Sequence, residues 1–110
     1  MSHSRKVSLR DEHNGEDHRY LDASLEPNGD LRISGQDLGP GTAPVSDDGE
    51  YEWEKIIAKE HIPALLALLG VPAEADILNE LATRWTGRAS YDLERHIRDS
   101  NIPVRYWCWP

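Results

Sequence analysis

Residues 20–35 read YLDASLEPNGDLRISG, and the fold follows from how this stretch pairs with itself. Leu21, Ala23 and Leu25 alternate with Asp22, Ser24 and Glu26, the period-two pattern of a half-buried strand. After Pro27-Asn28-Gly29 the alternation resumes with Leu31 and Ile33. A two-residue Asn28-Gly29 loop would oppose Leu25 with Arg32 and put an apolar residue and a charge on one face. A three-residue loop opposes Leu25 with Leu31, Ala23 with Ile33, and Leu21 with Gly35. A slip of one residue inverts the faces, so the second register is expected. Its loop would be a type I turn with Pro27 early and Gly29 at the left-handed bulge position. The hairpin is expected over 20–36.

Upstream, residues 1–6 are polar and expected to fray, and Val7 and Leu9 alternate as a short strand over 7–10. Asp11 to His18 reads as a polar loop that carries Asn14-Gly15, a hairpin-type turn signal. Downstream, three glycines and two prolines between Gly35 and Pro44 forbid regular structure. Residues 50–57 read as a strand. Tyr51, Trp53 and Ile57 share one face, interrupted by Lys55, and Glu50, Glu52 and Glu54 share the other.

The second half is helical. A helix over 62–69 has Pro63 in its first turn and a leucine stripe that Gly70 ends. A helix over 73–86 starts at Pro72, buries Ile77, Leu78, Leu81, Ala82 and Trp85, and stops at Gly87. A third, over 91–100, is capped by Ser90 and closed by Asn101 as a left-handed C-cap, with Ile102 as its apolar contact. Residues 104–109 form a last, aromatic strand. Strands, then helices, then one returning strand predict an α+β fold: an antiparallel sheet of four to five strands with three helices packed on one face. Parity does not decide whether the last strand is central or at an edge.

A length of 110 residues points to a single domain. One cysteine, Cys108, excludes an intramolecular disulfide. Met1 to Arg10 lacks the apolar run of a signal peptide, and the densest apolar stretch, Ile62 to Val71, is about half of what a membrane span needs. A cytoplasmic protein without membrane association is expected. The net charge is −8, and residues 20–54 carry nine acids against one base, Arg32, while the flanking segments are each balanced. Such a surface repels a nucleic-acid backbone, so direct nucleic-acid binding is not expected.

The chemistry-bearing residues each have a plain structural reading. His13 and His18, beside Glu12 and Asp17, are metal-ligand types, but a charged loop supplies neither a rigid first shell nor a second one. His61 falls at the start of the first helix, where it can cap, and His96 falls on a charged helix face. Asp92, Glu94, Arg95, Arg98 and Asp99 interleave signs as a solvated helix does, with Glu94 and Arg98 at the favourable i, i+4 spacing. Cys108 has no neighbouring base in sequence to activate it. Gly35 to Gly41 matches no phosphate-binding spacing. No catalytic residue, metal or cofactor is expected.

The segments from Leu21-Asp22-Ala23 through Gly35-Gln36-Asp37-Leu38-Gly39-Pro40, and Asp48-Gly49-Glu50-Tyr51-Glu52-Trp53, resemble a family of short uncharacterised bacterial proteins. That resemblance implies a bacterial cytosolic protein and brings no activity with it. In size, acidity and α+β order the chain also resembles immunity proteins that neutralise basic toxins.

Function is therefore expected to be binding: a non-catalytic module whose acidic face docks a basic protein, as an immunity or antitoxin-like protein does. Its contact residues would be Asp37, Asp47, Asp48, Glu50, Glu52 and Glu54. Trp107 and Trp109, on one strand face with Arg105, would add hot spots if helices leave that face open. Two alternatives use the same residues differently. One is a small-molecule binder or small enzyme with the 35–49 loop as a lid and Gln36, Asp37 and Tyr51 as its polar groups. The other is a nucleic-acid-mimicking inhibitor.

Overall fold

The computed structural model describes residues 5–39 and 50–109. Five strands form one sheet in chain order: β1 (Arg5–Asn14), β2 (Asp17–Leu25), β3 (Leu31–Leu38), β4 (Glu50–Ile57) and β5 (Arg105–Trp109), each antiparallel to its neighbour. Between β4 and β5 come a 3₁₀ turn (Lys59–His61) and three helices, α1 (Ile62–Leu68), α2 (Ile77–Arg84) and α3 (Arg88–Arg98). This is the α+β order expected from the alternation. β1 and β5 are the two edges.

The central hairpin adopts the three-residue register. Leu25 pairs with Leu31, Ala23 with Ile33 and Leu21 with Gly35. Gly29 donates to the Glu26 carbonyl (2.8 Å), Glu26 donates to the Asp30 carbonyl (2.9 Å), and Gly29 has φ +95°. That is a type I turn closed by a left-handed glycine. Asp30 then fastens the turn to the start of the helical layer, accepting a 2.9 Å hydrogen bond from the Lys59 amide.

The N-terminal region differs from expectation. Arg5 and Lys6 are paired with Leu25 and Ser24 rather than frayed, and Asp11 to His18 is not a loop. β1 runs to Asn14 and β2 starts at Asp17, so the connection is only Gly15-Glu16. Gly15 has φ +65° and Glu16, like every other non-glycine among the described residues, does not have positive φ, the pattern of a type II′ turn. Charged residues are tolerated in this part of the ladder because opposite signs and like rings face across it: Glu12 pairs with Arg19, and His13 with His18.

Helix ends follow local chemistry, with three corrections. Gly70 (φ +79°) closes α1: its amide donates to Ala67 and that of Val71 to Leu66, both at 3.0 Å, a Schellman motif. α2 starts at Ile77 and not after Pro72, because Asp76 caps it by accepting from the Asn79 amide (3.0 Å). The Arg5 guanidinium, 2.7 Å away, and that amide hold the Asp76 carboxyl below the usual carboxylate range. α3 starts at Arg88, so Ser90 lies inside it, fully buried, and Gly87 takes the N-cap place. Asn101 is not left-handed, since among the described residues no non-glycine has positive φ. The Ser100 hydroxyl instead donates to the Ile97 carbonyl (2.7 Å) and accepts from the Ile102 amide (3.2 Å).

The helices cover one face of the sheet. Leu21, Ala23, Leu31, Ile33 and Ile57 meet Leu65, Leu66, Leu78, Leu81 and Leu93 in a single core, and all ten are at most 2% exposed. The register shift in β1 at Leu9 is a β-bulge that turns both Leu9 and Arg10 inward, to 1% and 3% exposure. The Leu9 carbonyl accepts from the Gly87 amide at 2.8 Å, so the bulge anchors the start of α3.

Gly35 answers a packing demand. A Cβ there would sit 2.1 Å from the Trp53 indole, which lies against the Gly35 backbone. Gly35→Ala is expected to cost about 3 kcal/mol, the upper end for overpacking. Chemical denaturation of G35A, W53L and the double variant checks this, with the double variant recovering part of the loss.

Candidate functional site on the open face of the sheet

Among the described residues, no helix packs on the second face of the sheet, and its composition follows from strand parity. Reading across the register, Tyr20, Gln36, Glu52 and Trp109 form one row, and Asp22, Ser34, Glu54 and Trp107 the next. Below them run Ser24, Arg32, Ile56 and Arg105, and above them His18, Leu38 and Glu50. The last strand is thus an edge, and it brings Trp107 beside Glu54. Trp107 is 37% exposed.

A groove of about 390 Å³ crosses this face, lined by Tyr20, Asp22, Ser34, Gln36, Glu52 and Glu54 with the backbone of Gly35. Three carboxylates edge it. Asp22 pairs with Lys6 at 3.3 Å, and Glu54 with Arg32 at 3.3 Å, the latter arginine also holding Glu26 at 2.5 Å. Glu52 accepts a 2.8 Å hydrogen bond from the Gln36 amide and meets no cation among the described residues. The face is therefore polarised along the strands. Lys6, Arg32 and Arg105 gather at one end, and the groove with Glu52 lies toward the other.

The expected contact residues are distributed unevenly. Glu52 and Glu54 share this face with Trp107, and the register puts Glu50 and Trp109 in its rows. Asp37 belongs to the other face, paired in register with Arg19 and Tyr51. Asp47 and Asp48 lie outside the described residues. Tyr20 and Gln36 were not among the expected contacts, although Tyr20 has the parity of Asp22 and Gln36 that of Ser34. The lid reading loses its grouping, because Gln36 is on the open face while Asp37 and Tyr51 face the helices. Residues 35–38 of the supposed lid are strand, and 40–49 lie outside the described residues.

A second polar cluster lies on the helix side and takes in Glu94, one of the helix charges that the sequence pattern makes solvated. Arg10 donates from Nε to Ser90 Oγ (3.0 Å) and from an amino group to Glu94 Oε1 (2.8 Å), and its guanidinium lies 3.5 Å from the centre of the Tyr91 ring. Glu94 also accepts from the Trp53 indole (3.1 Å) and lies 3.6 Å from the Lys55 ammonium. Glu94 thus serves the interior rather than an i, i+4 pair with Arg98, which instead meets Asp99. Tyr91 donates to Glu12 at 2.6 Å, and burial first, then this hydrogen bond, raise its pKa. Tyr51 is raised by hydrogen bonds with Tyr106 and Cys108 and by burial. His61 stands at the N-cap of α1 without a side-chain cap bond, and Cys108 is an exposed free thiol.

No family model, curated protein or solved structure matches this chain. Among the described residues no three His, Cys, Asp or Glu side chains converge as metal ligands, and no helix is long and apolar enough to cross a membrane.

Two outcomes follow from the interior cluster. Glu94→Ala leaves Arg10 buried without its counter-charge and is expected to destabilise by about 3 kcal/mol, measured by urea unfolding, with Glu94→Gln costing less. Asp37 has one carboxylate oxygen buried without a hydrogen-bond partner among the described residues. Burial raises its pKa against the opposing pull of Arg19 and Arg10. A carboxyl raised on folding binds its proton more tightly in the folded state, so this group's contribution to stability is lost as pH rises through the folded pKa. Asp37→Asn is expected to raise Tm at pH 7, and the gain over the parent should vanish at about pH 3 to 4, where the parent carboxyl is protonated.

Proposed function

We propose that the protein is a non-catalytic binding module whose open sheet face docks a basic protein, in the manner of an immunity or antitoxin-like protein. One observation carries the reading: a groove lined by Asp22, Glu52 and Glu54 beside an exposed Trp107, on a face that no described helix covers. Among the described residues Glu52 has a hydrogen-bond partner but no cation, so an incoming lysine or arginine would supply a counter-charge. Tyr20 in the groove and Trp107 at its flank offer aromatic surface to the stem or the guanidinium plane of such a side chain. Long-range attraction from the acids speeds encounter, and the indole provides the desolvated contact that holds the complex.

Polarisation of the face adds orientation. Lys6, Arg32 and Arg105 would repel a uniformly basic ligand from one end, so a partner would need its cations clustered opposite the groove. The same three cations pair with Asp22, Glu54 and Asp30, which favours protein docking over imitation of a nucleic-acid backbone. A cytoplasmic location fits the single exposed thiol.

The test uses an arginine-rich peptide as a stand-in for the partner. The parent is expected to bind it with an affinity that falls as salt rises. Glu52→Lys should weaken binding at least tenfold and Trp107→Ala severalfold, while circular dichroism shows the fold retained. Equal affinity for parent and E52K would overturn the reading.

A further inference from the structure

The β1–β2 hairpin brings together two residues that lie five apart in sequence. His13 and His18 are direct cross-strand partners, and their ring centroids are 4.1 Å apart with the planes tilted by 60°. Parity puts both on the open face, at the end away from Lys6 and Arg32, with Leu38 of β3 beside His18. A charged loop would have held neither ring. The ladder and the type II′ turn hold both.

Each ring is also oriented by a neighbour two residues along its own strand. His13 Nε2 lies 3.0 Å from Asp11 Oδ1. An ionised carboxylate only accepts, so Nε2 carries the proton and the lone pair of His13 is on Nδ1. His18 Nδ1 lies 3.0 Å from the Tyr20 hydroxyl. When Nδ1–H donates to that oxygen, the lone pair of His18 is on Nε2. A carboxylate and a phenol each holding one nitrogen of two adjacent imidazoles is the kind of arrangement that orients metal-bound histidines and raises their basicity.

From this geometry we infer that the His13–His18 pair binds one divalent transition-metal ion of the zinc class. His13 contributes Nδ1 and His18 contributes Nε2, and water fills the remaining positions. Imidazole suits zinc, and the site has room for water because the His13 side chain is 54% exposed. Asp11 and Tyr20 are positioning residues. With two protein ligands rather than three or four, the site is one of modest affinity that clips β1 to β2 at their turn. It lies two rows of the sheet from Trp107 and uses neither Glu52 nor the indole; Tyr20, which orients His18, is the residue it shares with the docking groove.

Zinc titration of the untagged full chain, read by calorimetry and by histidine ring NMR shifts, tests this in a His3→Ala background, which leaves His61 and His96 as internal controls. The expected result is one equivalent of saturable Zn²⁺, with shifts at His13 and His18 and none at His61 or His96. His13→Ala and His18→Ala should each weaken binding at least tenfold, Asp11→Ala about tenfold as for other outer-shell removals, and His61→Ala not at all. Zn²⁺ should also raise Tm in the background chain but not when His13 is replaced. Absence of saturation below millimolar zinc, or binding unchanged in both His13→Ala and His18→Ala, would overturn the assignment. Asp11 and His13 are exposed and His18 partly buried on the hairpin, His61 is a helix N-cap, and circular dichroism verifies the fold of each variant.

Discussion

One buried ion pair ties the layers of this small domain together. Arg10 leaves an edge strand, enters the helical layer almost fully shielded, and ends on Glu94 of α3. Glu94 in turn takes the indole proton of Trp53 and the charge of Lys55, both on β4. A single carboxylate therefore links β1, α3 and β4. Burying these charges is costly, and the cost is met only because every strong donor in the group has a partner: Ser90 and Glu94 for Arg10, and Glu94 for Trp53. The bulge at Leu9 makes this feasible, since without the extra residue Arg10 would point to the open face.

That constraint has a consequence on the opposite side of the sheet. Because the helices, the bulge and Gly35 satisfy one face completely, β2 to β5 are free to carry polar and aromatic residues on the other. Carboxylates that would crowd a covered face are instead spread over a solvated one, where neighbouring like charges cost little. Two are neutralised by Lys6 and Arg32, and the groove between β2, β3 and β4 keeps the remainder. The last strand closes the pattern by adding an indole at the rim, where an interface gains most from a rigid aromatic.

Alternation made much of the architecture legible. The parity of Leu21, Ala23, Leu25, Leu31 and Ile33 admits one register, and the molecule adopts it. Glu50 to Ile57 and the aromatic tail pair as strands for the same reason. The first hairpin was hidden because apolar alternation is missing between Leu9 and Leu21, where pairing rests on cross-strand contacts between charged residues and rings. Only Asn14-Gly15 hinted at it. Glu94 was misread because its neighbours Asp92, Arg95 and Arg98 are solvated, and nothing local distinguishes a carboxylate aimed at a distant strand. The Asn101 cap gave way to Ser100, whose hydroxyl satisfies the helix end without a left-handed residue.

Local pattern thus carries the strands, the helices, the central register and the concentration of acid in residues 20–54, because these depend on period, turn geometry and charge count within short windows. Three matters needed the folded chain. Asp37 turned away from the glutamates it accompanies in sequence, since odd and even positions of a strand face opposite ways and only the helices define which way is inward. Arg10 found Glu94 across 84 positions, a contact set by packing rather than by spacing. His13 and His18 became neighbours because the ladder, not a loop, joins them. The decisive stretch, 20–35, set the scaffold. What the scaffold presents on its open face was settled by where β5 returned and by which face the helices took.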